Sequence, residues 1–200
     1  MALMDNDPHT FIINHREKDL KRFTGFCHRT FNDTDLLYFI SFLRHHYKKC
    51  ASLEDAFFPP QASGEAFKHD DSIEPVETAL NYFNHYFFSL EHVPLRTRKH
   101  IASPAKNSGC KRLNMFLRWM VRNDGKGVDF GLWKRIQPSQ LMIPLDLHVA
   151  RVAKHFRLLS RPNPDWRSAL ELTHNLRVLD AKDPVKYDFA LFALGIIEKF

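Results

Sequence analysis

Apolar residues recur with helical spacing in each segment of this chain rich enough in them to build a core. The clearest case is Leu145, Val149, Val152, Ala153 and Phe156, at i, i+4, i+7, i+8 and i+11, introduced by Pro144. Leu36, Phe39, Ile40, Leu43 and Tyr47 repeat the pattern behind an Asn32 or Asp33 cap. Pro75, in the first-turn place that proline favours, opens a third stripe of Leu80, Phe83, Phe87 and Phe88. A helix is expected over residues 109–122, with Leu113, Phe116, Leu117, Met120 and Val121 on one side. Two more are expected after Asn163-Pro164 and after Asp183-Pro184, and two short ones near 8–14 and 18–23. No run of alternating Val, Ile and Thr interrupts them, and 7 Gly in 200 residues are too few for the turns of a sheet-rich fold. The chain reads as all-α, a single domain over 1–200 or two small lobes sharing a cleft, with residues 58–74 as the polar loop between lobes.

A hydrophobic fraction of 44% with 18 Phe supplies a sizeable core. No stretch is long and apolar enough to span a membrane, and the first residues lack the basic and apolar regions of a secretory signal. Cys27, Cys50 and Cys110 are scattered without paired spacing, the pattern of reduced thiols in a cytoplasmic protein. They are too few for a four-cysteine zinc or iron–sulfur centre, and no cofactor is expected. His69-Asp70-Asp71 is an isolated metal-like dipeptide in a polar loop, and adjacent His45-His46 make a poor chelate, so no metal site is expected either.

Charge is distributed unevenly. Residues 1–90 hold 9 Lys and Arg against 13 Asp and Glu, residues 91–157 hold 14 against 4, and residues 158–200 hold 6 of each. A cluster so one-sided suits a phosphate backbone, or else a solvated face that keeps the protein in solution.

Two short runs carry candidate chemistry. In Ser108-Gly109-Cys110-Lys111-Arg112-Leu113-Asn114 a glycine precedes a helix whose first amides form an anion site. A cation is disfavoured in a first turn, so Lys111 is either a candidate amine nucleophile or a phosphate-contacting surface lysine. In Ile143-Pro144-Leu145-Asp146-Leu147-His148, the carboxylate of Asp146 lies among apolar residues at a helix entrance. It serves as an N-cap, as an active base, or as both.

These runs resemble helix-hairpin-helix DNA glycosylases. Gly109-Cys110-Lys111-Arg112-Leu113-Asn114 is similar to the end of the hairpin and the start of its second helix, and Pro144-Leu145-Asp146-Leu147-His148-Val149-Ala150-Arg151-Val152 to the downstream segment. The resemblance covers about residues 100–195 and implies a glycosylase-like core with a degenerate hairpin at 104–111. It implies that Asp146 is the catalytic carboxylate and Lys111 the Schiff-base nucleophile. The hairpin residues Lys106, Asn107, Gly109 and Arg112 would then contact DNA, as would Arg118, Arg122, His148 and Arg151 on the helices. The usual two glycines and proline of the hairpin are replaced by Lys106-Asn107-Ser108-Gly109, where Asn107 can take the left-handed conformation. The 35-residue separation of Lys111 and Asp146 is closer to the archaeal 8-oxoguanine glycosylase branch than to other members. Residues 111–122 and 183–195 resemble a bacterial family of conserved hypothetical proteins, against which this chain is expected to lack N-terminal helices.

The resemblance implies excision of a base from duplex DNA after the nucleotide is flipped into a pocket. Trp119, Phe130 and Trp133 are the sequence candidates for its wall, or else ordinary core. Two rivals stand beside that reading: a non-catalytic nucleic-acid-binding protein of the same fold, and a helical scaffold for an acidic protein.

Overall fold

The computed structural model describes residues 2–59 and 74–198, which form two compact units: 2–59 with 82–101, and 74–81 with 102–198. His69-Asp70-Asp71 and most of the polar loop expected at 58–74 lie outside the described residues.

The first unit contains α1 (Pro8–Asn14), α2 (Asp33–Tyr47), the short α3 (Glu54–Phe57) and the second half of α4 (Pro75–Phe87). The segment expected as a helix at 18–23 is a 3-10 turn, Glu17–Phe23. A two-residue antiparallel pair, β1 (Cys27–His28) with β2 (Phe31–Asn32), leads into α2. Asn32 caps α2 by accepting from the Asp35 amide at 3.2 Å, and Asp35 returns the bond to the Asn32 amide at 3.1 Å. The other carboxylate bonds of Asp35 go to Thr97 Oγ1 at 2.8 Å and His100 Nε2 at 3.1 Å, so a fully buried acid fastens the 3-10 turn Leu95–His100 to α2. The stripes of α2 and α4 meet in an aromatic core in which Phe57 stacks on Phe83 at 4.0 Å and Phe42 packs on Phe87 at 4.5 Å.

The second unit is built from α5 (Lys111–Val121), α6 (Leu147–His155), α7 (Trp166–Leu179) and α8 (Asp188–Ile197), with the first half of α4. Trp166 Nε1 donates to Glu77 at 2.7 Å, and Arg177 pairs with Glu74, joining α7 to α4. Pro144 does not begin a helix: residues 143–145 are buried but in no regular element, and α6 starts at Leu147 behind the Asp146 cap. The later start carries a correction for Phe156, expected on the buried stripe. Helix α6 ends at His155, so the i+11 position falls off the helix and Phe156 is 53% exposed. Residues 92–108 contain no α-helix ahead of α5, only the turns Leu95–His100 and Pro104–Lys106, each preceded or opened by a proline.

Among the described residues, no helix is long and apolar enough to cross a membrane.

Candidate functional site

The turn before α5 has a specific construction. Asn107 adopts the left-handed conformation with φ 53°, and its side-chain amide donates to Asp165 at 3.1 Å. Asp165 is also the N-cap of α7, accepting from the Ser168 amide at 2.9 Å, so the turn is fixed to the start of that helix. Gly109 serves a purpose different from a tight turn. A Cβ there would lie 2.9 Å from the Pro164 carbonyl oxygen, so the two backbones approach only because the side chain is missing. Cys110, left-handed with φ 47°, then turns the chain into α5 and sets Lys111 at its first position.

Lys111 and Asp146 meet. The ammonium Nζ donates to Asp146 Oδ2 at 2.9 Å, while Oδ1 accepts from the Val149 amide at 2.8 Å. The N-cap and the charged partner are therefore one carboxylate. Burial pushes the Asp146 carboxyl up, but the Val149 amide and the Lys111 ammonium outweigh it and hold the group below its ordinary value. The pair lies in a concavity of about 160 Å³ that is also lined by Met115, Pro144, Asp188, Phe189 and Phe192.

Asp188, at the start of α8, lines the same concavity and is the residue that sequence reasoning missed. It is buried, and burial pushes its carboxyl up to about 6 against the pull of the Arg118 guanidinium bonded to it. Asp146 raises it further and Lys111 opposes, so both members of the pair act on the third group electrostatically. The available signal was a lone acid between Tyr187 and Phe189 in an otherwise apolar closing helix.

Two expected DNA contacts need correction. Arg118, 1% exposed, bonds Asp188 and Asp129 and lies 4.2 Å from the Phe189 ring centroid, so a phosphate has no access to it. Arg122 is largely buried against Asp183, at 2.8 Å, and Asp129. Lysine- and arginine-rich helices usually turn such groups outward; here carboxylates from three other segments draw them in. His148 faces α8, with Nδ1 3.3 Å from the Gly195 carbonyl oxygen and its ring edge-on to Phe192. Lys106, Arg112 and Arg151 are exposed, and no carboxylate among the described residues pairs with them. The expected aromatic wall is also elsewhere: Trp133 is buried core, and neither Trp119 nor Phe130, both exposed, lines the concavity, where Phe189 and Phe192 stand instead.

Among the described residues, no group of three or more His, Cys, Asp or Glu side chains is placed to hold a metal ion. The arrangement can hold one proton between an amine and a carboxylate beside an aromatic wall, with a second, protonatable acid behind them.

A mostly helical protein with an amine–carboxylate pair at two helix starts is the class that fold and site define. The chain belongs to the family described as "Protein of unknown function (DUF2400)", whose model matches residues 1–197. Comparison with curated proteins and with solved structures returned no match.

Proposed function

We propose that this protein binds DNA and acts as a base-excision glycosylase of the helix-hairpin-helix type, with Schiff-base lyase chemistry at Lys111. The observation that carries the reading is the 2.9 Å contact between Lys111 Nζ and Asp146 Oδ2 in a concavity walled by Phe189 and Phe192. Asp146 takes the proton from the Lys111 ammonium, freeing an amine to attack C1′ of an extruded nucleotide. The C1′–N bond breaks, its electron pair leaves with the base, and the proton held by Asp146 neutralises that leaving group. The attacking nitrogen then gives up a proton, its lone pair expels O4′ from C1′, and O4′ takes that proton, so the ring opens and the new C1′–N bond becomes a protonated imine. Exposed Lys106, Arg112 and Arg151 supply phosphate contacts on the same unit.

Borohydride trapping on duplexes bearing damaged bases or abasic sites tests this. A covalent adduct is expected with the wild type and is abolished in Lys111→Gln, and base release is lost in Asp146→Asn. No adduct and no base release across a broad lesion panel would overturn the catalytic reading. One observation favours the non-catalytic DNA-binding alternative: both oxygens of Asp146 are engaged within the protein, one by Val149 and one by Lys111.

A further inference from the structure

The first unit has a charged feature of its own. Residues 1–90 carry more acid than base, yet Arg44, His45 and Lys48 on and just after the last turn of α2 converge on a concavity of about 500 Å³. His15, Glu17, Leu20 and Ser41 complete its lining. Cations at a helix C-terminus complement the dipole, which accounts for their presence on α2. It does not account for how Arg44 is held.

His15 is buried, and its Nδ1 faces the carbonyl oxygens of Phe11 at 3.1 Å and Ile12 at 2.9 Å. Those two acceptors require a proton on Nδ1, so Nε2 of the neutral ring presents a lone pair. Arg44 donates to that lone pair at 3.4 Å. The guanidinium is thus oriented by a neutral group that leaves its charge uncompensated. Its Nε is buried without a hydrogen-bond partner, and among the described residues no carboxylate pairs with Arg44 or Lys48. Lys49 Nζ lies 3.1 Å from Nε2 of the lining residue His45. Glu17, exposed, is the acidic member of the lining and makes no ion pair with either. A part-buried guanidinium with an unpartnered Nε and no carboxylate partner, beside an exposed ammonium, suits an oxyanion, and its planar fork of donors matches phosphate oxygens.

We propose that the concavity bounded by His15, Arg44, His45 and Lys48 is an oxyanion site that takes a phosphate group of a nucleic-acid backbone. The nucleic-acid source rests on the DNA-binding reading above; the oxyanion chemistry does not. Two measurements on the full chain test it. In the first, affinity for a short DNA duplex is followed against salt for the wild type, Lys48→Gln and Arg44→Gln/Lys48→Gln. Losing one phosphate contact makes the slope of log affinity on log salt shallower by about 1. Lys48 is exposed, so its single substitution reads the site even where the double variant folds poorly. In the second, the histidine ring signals of His15 and His45 are followed by NMR while inorganic phosphate is added. Saturable shifts are expected in the wild type and are lost in Lys48→Gln. Saturable shifts with unchanged salt slopes assign the site to a small phosphate-bearing ligand and overturn the backbone as its source. A wild type that binds no duplex overturns the DNA-binding reading itself, with the phosphate titration still deciding the site. Absent shifts together with unchanged slopes overturn the site.

Discussion

At the Asp188 carboxyl two demands oppose each other: burial disfavours the charge and the Arg118 guanidinium favours it, with the balance near 6. In the unfolded chain the same group returns to about 3.8. Between these values the native state holds a proton that the unfolded state has lost. The stabilisation it brings is therefore present in acid and lost as the pH rises through 6. The unfolding free energy of the wild type, measured against Asp188→Asn by urea titration, is expected to fall by about 2 kcal/mol from pH 4 to pH 7. A difference that stays flat over this interval would remove Asp188 from the titrating groups of the site. Asp146 behaves in the opposite sense: its depressed value gives stability present above the ordinary carboxylate range and lost as the pH falls through the folded value. Lys111 and Asp146 were legible in the sequence because each stands where turn chemistry announces a helix start. Arg118 and Asp188 were not. A charge two helical turns beyond Lys111 has the local signature of a solvated face, and only the packing of α8 decides that it is buried.

Helix α8 reaches α6 through a glycine. A Cβ on Gly195 would lie 2.9 Å from His148 Cβ and 3.0 Å from the His148 carbonyl oxygen, and the second of these is backbone that cannot yield. Gly195→Ala is expected to destabilise the protein by about 1–3 kcal/mol in urea or thermal unfolding, through separation of the two helices. An unchanged midpoint would show that the approach relaxes freely. Periodicity located the helices well, since apolar stripes survive any tertiary arrangement, but it misplaced their ends. Pro144 stands in the buried, non-helical run 143–145, and the helix waits for the Asp146 cap. The role of Gly109 was likewise invisible, because its reason is a carbonyl from residue 164, far along the chain.

For the molecule as a whole, the three thiols form a graded probe of opening. Cys27 is exposed, Cys50 is intermediate, and Cys110 is buried, where desolvation pushes its thiol up to about 12. Timed alkylation read by mass spectrometry is expected to modify Cys27 rapidly in the native protein. Cys110 is expected to react only as fast as its unit unfolds, with its labelling tracking the loss of helical signal in urea. Early labelling of Cys110 would show that the turn carrying Lys111 opens by itself. A last consequence comes from the double engagement of Asp146. Its Oδ1 is tied to the backbone of α6, while Lys111 is 47% exposed and reaches it across a flexible four-carbon stem. A ligand that drew the lysine away would leave the acid where it was, as in a clamp with one fixed jaw. The rearrangement would then fall on a single side chain, with Oδ1 still held by the Val149 amide.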